Sequence, residues 1–250
     1  MASVLALEKL NMAKSNLGFI KLSPTTLNLF LNCSRCFWFD KVKDIKRPRG
    51  IFPSLPTGMD RVIKIQFDRF RAKGELPPEL IGKDFEGVKL FQDQAQLEKW
   101  RNWRTGLQYM DNDGSVLSGA LDELLTKNGK FIPFDYKTKG SVTTEEDAVK
   151  YYQNQLDCYA LMMEANKMPT IGHGFLLYYS PKQVVENGVV HFEIQVIKIA
   201  TDIERARTTF RKAVAFLKGS MPEVNSQCEY CAWLAKFEGG SEKRENSQNH

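Results

Sequence analysis

The sequence predicts a mixed α/β fold in which helices flank one sheet. Two observations support this prediction. Apolar residues recur at helical spacing between residues 59 and 70, and short β-favouring runs alternate with turn signals from residue 105 onwards. The predicted order is two helices, three strands, a helix, two strands and a final helix, which suits helices packed around a single sheet.

The composition sets broad limits on the class of protein. The 250-residue chain can bury a core, since 42% of its residues are hydrophobic. Its net charge of +5 is compatible with a polyanionic partner but does not establish one. No long apolar run is present, and Met1–Ile20 lacks the layout of a secretory signal. We expect a cytoplasmic protein without a membrane span, with one domain over residues 1–238 and a disordered tail over residues 239–250.

Capping residues and periodicity predict the first two helices. Ser23 offers a capping hydroxyl and Pro24 suits the first turn, so the first helix should run from there to about Lys43. A basic loop follows. The second helix covers the apolar repeat at residues 59–70.

Three strands follow, at about residues 105–110, 115–126 and 131–137. The last two are separated by Asn128 and Gly129. Asn-Gly between β-like runs is the strongest local signal for a two-residue hairpin turn, so these two strands should pair in antiparallel fashion.

The elements after the hairpin are a helix, two strands and a helix, predicted at about residues 145–166, 172–180, 189–199 and 201–219. Thr143 or Thr144 provides the cap of the first of these helices. Thr201 and Glu204 have the spacing of a capping box for the last helix.

The predicted hairpin places two carboxylates on one face of the sheet. Residues equally distant from the turn are paired, so Asp122 lies opposite Asp135. Lys137 shares their face because side chains alternate along a strand. The neighbouring residues are largely apolar, and a partly buried pair of like charges needs a cation or a shared proton. A divalent ion with oxygen ligands would meet that need.

Two alternatives to this site remain open. The acidic pair would also suit the solvent face of a half-exposed hairpin, with Lys137 as its counter-ion. Pro133 cannot donate a hydrogen bond to the ladder and is typical of a bulge, which would change the register.

Three segments together resemble the RecB-like branch of the PD-(D/E)XK nucleases. They are Gly-Ala-Leu-Asp at residues 119–122, Pro-Phe-Asp-Tyr-Lys at residues 133–137 and Gln-Leu-Asp-Cys-Tyr at residues 155–159. The family core is a helix, three antiparallel strands, a helix and another strand, which is the order predicted above. The resemblance implies a restriction-endonuclease-like core and a deoxyribonuclease that hydrolyses phosphodiester bonds with Mg²⁺ or Mn²⁺.

The resemblance also implies a catalytic set, which comprises Asp122, Asp135, Lys137, Gln155 and Tyr159. In the family the two aspartates bind the metal ion, and the backbone carbonyl of the residue matching Tyr136 adds a ligand. The glutamine and tyrosine of the QxxxY signature border the active site and contact the substrate strand or the lysine. Four residues apart on a helix, they share one face.

The chain departs from the family at the metal-binding histidine that many relatives carry before the strands. All three histidines of this chain follow Lys137. Asp60, at the start of the matching helix, is the expected replacement, because a carboxylate oxygen suits a hard Mg²⁺ or Mn²⁺ ion. The open alternative is that Asp60 only charges the first turn of its helix, where the helix dipole favours an acid.

Four of the five cysteines form two CxxC pairs, Cys33 with Cys36 and Cys228 with Cys231. In an intracellular protein such pairs are typical of metal ligands rather than disulfides. The first pair resembles the N-terminal cysteine motif of the CRISPR-associated RecB-like exonucleases and the AddB-type nuclease domains, which hold a 4Fe-4S cluster. We therefore favour a 4Fe-4S cluster that ties the two ends of the chain, with structural Zn²⁺ as the alternative. Cys158 is expected in the core.

Relatives with cysteine clusters trim single-stranded DNA ends. The resemblance therefore implies an exonuclease that acts on single-stranded DNA in DNA repair, recombination, or CRISPR- or phage-type DNA processing. The alternative is a catalytically inactive DNA-binding module of the same fold, built around a structural metal. The sequence indicates no particular protein partner.

Overall fold

The structure is a computed structural model that describes residues 19–48, 50 and 54–235. The predicted tail at residues 239–250 therefore lies outside the described residues. The chain divides into two compact units. The first comprises Met1–Ile20, Thr25–Gly50 and Thr209–His250, and the second comprises Lys21–Pro24 and Ile51–Thr208. The prediction of one domain over residues 1–238 stays a prediction. None of the described helices is both long and apolar enough to cross a membrane.

The helices and strands follow in the order β1 Lys21–Leu22, α1 Pro24–Asn32, α2 Ser34–Val42, α3 Ser54–Lys73, β2 Val88–Leu90, α4 Gln94–Arg101, β3 Leu107–Met110, β4 Val116–Gly119, β5 Glu123–Lys127, β6 Lys130–Thr138, α5 Glu145–Ala165, β7 His173–Val184, β8 Val190–Ala200 and α6 Ile203–Leu217. This is the predicted mixed α/β fold, in which helices flank mixed sheets. Three elements, β1, β2 and α4, were not predicted from the sequence. Residues 229–235 are also helical.

Two helices, α1 and α2, replace the single helix that was predicted to end near Lys43. Cys33 interrupts them with an extended backbone, at φ −157° and ψ 105°. Its sulfur accepts a hydrogen bond from the backbone N–H of Cys36 at 3.5 Å. The thiol therefore caps α2, and the break places Cys33 where a continuous helix would not.

The strands form two sheets rather than the single predicted one, with orders β1-β4-β3 and β2-β5-β6-β7-β8. The cause is a break in the predicted strand at residues 115–126, which divides into β4 and β5. At the break, the backbone N–H of Leu121 donates to the carbonyl of Trp100 at 3.0 Å instead of to a strand. Asp122 is the last residue of this break and directly precedes β5.

The hairpin between β5 and β6 has the predicted register, because Lys127 pairs with Lys130 and the pairs continue to Glu123 with Phe134. Both turn residues have positive φ, 51° at Asn128 and 73° at Gly129, as a two-residue type I′ turn requires. Pairing runs through Pro133 without a shift, so the bulge alternative is wrong.

Helices cover both faces of β6. On one face, the ring of Phe67 in α3 lies 5.7 Å from the ring centroid of Phe134 and 4.7 Å from that of Tyr136. On the other face, Gln155 of α5 donates to Asp135 at 3.1 Å. Alternation along one strand thus places Phe134 and Tyr136 on the face covered by α3 and Asp135 on the face covered by α5.

Helix caps agree with the prediction at α5 but not at α6. Thr144 accepts a hydrogen bond from the backbone N–H of Asp147 at 3.1 Å, as predicted. At α6 the side chain of Asp202 accepts from the backbone N–H groups of Glu204 and Arg205, at 2.9 and 3.1 Å. Asp202 therefore caps this helix in place of the predicted Thr201. Its carboxylate accepts hydrogen bonds from backbone N–H groups of the first turn, and the helix dipole stabilises its negative charge.

Candidate active site and cysteine cluster

Asp122 and Asp135 come together at the end of the β5–β6 hairpin. Asp135 is fully buried, and burial raises its pKa to about 6. The ion pair with Lys137 lowers the pKa of Asp135, whereas the charge of Asp122 and a hydrogen bond between the two carboxyl groups raise it. The two acids therefore face one another, and each carboxylate makes the other more costly to ionise in this buried position.

Gln155 links three other members of the predicted catalytic set. Its amide nitrogen donates to Asp135 Oδ1 at 3.1 Å and to the Tyr159 hydroxyl at 2.7 Å. Its amide oxygen accepts a hydrogen bond from Lys137 Nζ at 3.2 Å. Lys137 also forms an ion pair with Asp135. One amide thus sets the relative positions of a carboxylate, an ammonium and a phenol.

Lys137 and Tyr159 are held in their protonated forms. Burial lowers the pKa of Lys137, but the charge and hydrogen bond of Asp135 outweigh burial and raise it above its ordinary value. Burial raises the pKa of Tyr159 well above its usual range, and the charges of Asp135 and Asp122 raise it further. The Lys137 ammonium lies 4.4 Å from the ring centroid of Tyr152, a cation–π contact that the sequence analysis did not predict.

Asp60 reaches the site through Lys64. Lys64 Nζ donates to Asp60 Oδ2 at 2.9 Å and to Asp122 Oδ1 at 2.8 Å. Burial lowers the pKa of Lys64, but Asp122 and Asp60 together raise it, so the ammonium stays charged. Lys64 was not among the residues predicted for the site. The four-residue spacing from Asp60 on a helix is the signal that could have found it.

Arg101 holds the backbone of Asp122 from α4. Its Nε donates to the Asp122 carbonyl at 2.9 Å, and both of its terminal nitrogens donate to the Asp68 carboxylate at 2.9 Å. Asp122 is therefore fixed at two points, by Arg101 at its carbonyl and by Lys64 at its carboxylate. Neither partner follows from a local pattern in the sequence.

A buried charge network lies on the opposite face of β6. Glu123 forms an ion pair with Arg71 and accepts a hydrogen bond from the Tyr136 hydroxyl at 2.9 Å. Burial raises the pKa of Glu123, while Arg71 and Arg101 lower it. The phenol of Tyr136 thus points away from Asp135, and the metal-ligand role of its backbone carbonyl stays a prediction.

A cavity of about 320 Å³ opens beside these groups and is lined by Pro56, Thr57, Asp60, Ile63, Tyr136, Lys137 and Thr138. Asp60 and Lys137 line it with opposite charges. The cavity gives a ligand access to the predicted catalytic lysine.

The four cysteines of the CxxC pairs cluster, as predicted. Their sulfur atoms all lie within 4.8 Å of one another, and all four are free thiols. Burial raises the pKa of Cys36 to about 12. Burial also acts to raise the pKa of Cys228, but hydrogen bonds from backbone N–H groups and neighbouring thiols hold it at about 7. Cys158 lies elsewhere, buried in α5.

Residues 85–235, more than half of the chain, match the sequence profile of the PD-(D/E)XK nuclease superfamily. The chain belongs to this superfamily. Among solved structures it is similar to one described as "Crystal structure of SSO0001", at 15% sequence identity and a TM-score of 0.46, over 94% of this chain and 95% of that chain. No curated protein sequence matches the chain.

The matched range of this PD-(D/E)XK protein contains the whole predicted catalytic set and the two C-terminal cysteines. Asp60, Cys33 and Cys36 precede it. Members of the superfamily are nucleases, so nucleic acid is the class of substrate that membership indicates, and divalent metal ions are their cofactors.

The residues at the site fit a divalent metal ion. Asp122 and Asp135 present carboxylate oxygens to each other, and Lys64 links Asp60 to Asp122. Oxygen ligands suit hard cations such as Mg²⁺ and Mn²⁺. Burial makes the Asp135 carboxylate costly to ionise without a nearby positive charge. A metal ion held by the two carboxylates would offset that cost and the repulsion between them.

Proposed function

We propose that this chain is a Mg²⁺- or Mn²⁺-dependent deoxyribonuclease that trims the ends of single-stranded DNA. The observation that carries the proposal is the network through Gln155, which aligns Asp135, Lys137 and Tyr159 across from Asp122. Groups held in one fixed arrangement act together on a single bound phosphate, because their positions need no further adjustment during the reaction.

Each residue of the set has a role that suits its surroundings. Asp122 and Asp135 would hold the metal ion, with Asp60 and the Tyr136 carbonyl as further ligands. When bound, the ion supplies activation of a water molecule and polarisation of the scissile phosphate. Lys137, whose pKa is raised, remains an ammonium at neutral pH. It therefore suits the stabilisation of charge on the phosphate rather than removal of a proton from water.

Gln155 and Tyr159 would keep the other groups in position. The Gln155 amide contacts both members of the Lys137–Asp135 ion pair. It therefore hinders rotation of the lysine away from the carboxylate. Tyr159, whose raised pKa keeps it a neutral phenol, orients that amide through its hydroxyl.

A single strand is the preferred substrate of the proposal for two reasons. The cavity of about 320 Å³ is at the small end of the range for ligand clefts, which suits one strand end better than a duplex. The N-terminal cysteine motif resembles that of the RecB-like nucleases that trim such ends. The same proposal includes assignment to the RecB-like branch and a cytoplasmic location. It also includes a place in DNA repair, recombination, or CRISPR- or phage-type DNA processing.

One observation favours the alternative, a catalytically inactive DNA-binding module. Lys64 bridges Asp60 and Asp122, so an ammonium already neutralises carboxylates that a metal ion would need. If this bridge persisted with DNA bound, the protein would bind DNA without cleaving it.

The test uses end-labelled linear single-stranded DNA, circular single-stranded DNA and linear duplex DNA, each with Mn²⁺ or with EDTA. Wild type is compared with Lys137→Ala and Lys139→Ala. Lys139 is the matched control, since it lies two residues further on and contacts Thr143 at 2.8 Å and Asp147 at 3.7 Å rather than Asp122 or Asp135.

The proposal expects Mn²⁺-dependent loss of label from linear single strands, absent with Lys137→Ala and retained with Lys139→Ala. Cleavage of circles at an equal rate would leave a nuclease but refute the exonuclease assignment. Binding of DNA without cleavage under every condition would refute the nuclease and favour the inactive module.

A further inference from the structure

The sulfur positions of the cysteine cluster carry information about what the cluster binds. The Cys33 and Cys231 sulfurs are 3.7 Å apart, those of Cys36 and Cys228 are 3.7 Å apart, and those of Cys36 and Cys231 are 3.8 Å apart. These separations are far longer than a disulfide bond, which measures about 2.05 Å. The four thiols therefore surround a common point without being bonded to one another.

The separations match the edges of a tetrahedron around one metal ion. Zinc–thiolate bonds of about 2.3 Å in a tetrahedral site place neighbouring sulfurs about 3.8 Å apart. In a 4Fe-4S cluster each thiolate binds a different iron, so two metal–sulfur bonds and an iron–iron separation lie between any two thiolates. Four sulfurs that all lie within 4.8 Å of one another leave no room for such a core.

From this geometry we propose that Cys33, Cys36, Cys228 and Cys231 bind a single Zn²⁺ ion in a closed tetrahedral site. The resemblance to nucleases with a cysteine cluster favours 4Fe-4S, whereas the sulfur spacing favours the alternative, Zn²⁺. A site with four protein ligands leaves no open position, which is typical of structural rather than catalytic zinc.

The surroundings of the sulfurs support bound thiolates. The guanidinium of Arg47 donates to the Cys228 sulfur at 3.3 Å and lies 4.5 Å from the ring centroid of Tyr230. The Cys36 backbone N–H points at the Cys33 sulfur at 3.5 Å. Four thiolates around Zn²⁺ carry two net negative charges, and these donors offset part of that charge.

The proposed ion would join parts of the chain that are distant in sequence. Cys33 and Cys231 are 198 residues apart, and Arg35 of α2 donates to the Pro222 carbonyl at 2.6 Å in the same unit. Closing so long a loop restricts the unfolded chain, and metal binding adds its free energy to folding. Loss of the ion should therefore lower the thermal midpoint of the first unit.

Metal content tests the proposal independently of nuclease activity. Cells are grown with equal supplies of iron and zinc, and the full chain is purified without oxygen, so that oxidative loss of iron cannot be mistaken for zinc binding. Metal and acid-labile sulfide are then counted per chain for wild type, a Cys33→Ser/Cys231→Ser double variant and Cys158→Ala. Cys158→Ala is the matched control because Cys158 lies outside the cluster.

The proposal expects one zinc ion per chain and no labile sulfide in wild type and Cys158→Ala. In the double variant the zinc should be lost. Replacement by Co²⁺ should give the visible absorption bands of a tetrahedral thiolate site, a readout that does not depend on how stable the variants are. Four irons with four sulfides per chain would overturn the proposal, as would folded wild type without metal or full retention of zinc in the double variant.

Discussion

Replacing Asp135 with asparagine should stabilise the metal-free protein at neutral pH, although it removes a proposed metal ligand. Asp135 is fully buried, and burial raises its pKa from an ordinary 3.8 to about 6. This rise corresponds to about 3 kcal/mol in the free energy of unfolding. Asparagine has nearly the same shape but cannot ionise. Unfolding of Asp135→Asn at pH 7 should therefore cost up to about 3 kcal/mol more than unfolding of wild type.

The pH dependence follows from which state of the protein holds the proton. At a pH below 3.8 the carboxyl group of Asp135 is protonated in both states, so wild type carries no penalty. Between pH 3.8 and about 6 the unfolded chain ionises while the folded protein keeps its proton. Wild type therefore loses stability as pH rises through this window, and the loss is complete above about pH 6. The advantage of Asp135→Asn should grow over the same window and then level off.

Urea denaturation in EDTA, followed by far-ultraviolet circular dichroism from pH 4 to pH 8, measures this difference. Asp84→Asn is the control, because Asp84 forms an exposed ion pair with Lys198 at 3.1 Å, whose loss should change stability by no more than about 1 kcal/mol. Adding Mg²⁺ at a hundred times its dissociation constant should stabilise wild type by about 2.7 kcal/mol and Asp135→Asn much less. The reasoning is refuted if Asp135→Asn is less stable than wild type at pH 7 in EDTA, or if the difference does not depend on pH.

Three further predictions concern the surroundings of the acids. Lys64→Met should tighten Mn²⁺ binding about tenfold, or about 1.4 kcal/mol, because it removes a positive charge 2.8 Å from Asp122. Calorimetry measures this change, and weaker binding would show instead that Lys64 positions Asp122 for the ion. Arg71→Met should lower the free energy of unfolding by about 3–5 kcal/mol, because it leaves the buried Glu123 carboxylate poorly paired. Adding Glu123→Gln should restore part of the loss, and a double variant no more stable than Arg71→Met alone would contradict this explanation. Gln155→Leu should reduce kcat for DNA cleavage about a hundredfold with a smaller change in KM, since it removes the amide that holds both Asp135 and Lys137. Gln108→Leu, the same substitution at an exposed position of β3, should leave both unchanged, and equal losses in the two variants would argue against a positioning role.

Local patterns were sufficient to predict the hairpin. Asn128 and Gly129 adopt the positive φ values that a two-residue turn needs, and these dihedral preferences belong to the two residues themselves. Once the turn is set, hydrogen-bond pairing determines which residues face each other, and the ladder follows the predicted count as far as Glu123 with Phe134. Asp122 lies just beyond the end of this ladder, where Lys64 and Arg101 hold it. The Gln155–Tyr159 pair was predictable for a similar reason, because residues four apart share a helix face.

Partners that are distant in sequence decided the rest. Arg71 lies in a helix whose pattern does not mark it as buried, yet it is buried because Glu123, 52 residues away, pairs with it. Lys64, in the same helix, contacts Asp122, 58 residues away. Whether a charged side chain is solvated or buried depends on which group of opposite charge the fold brings near it, and a helical pattern contains no such information.

The sequence by itself therefore determined the order of the main elements, the turn of the hairpin and the residues that face one another across it. These features depend on backbone preferences and on periodicities of two and 3.6 residues. Only the tertiary structure decided the division of the strands into two sheets at residues 120–122, the lysine and arginine that hold Asp122, and the spacing of the four sulfurs. Those features depend on distances between atoms far apart in the chain, which the folded packing sets and no local preference encodes.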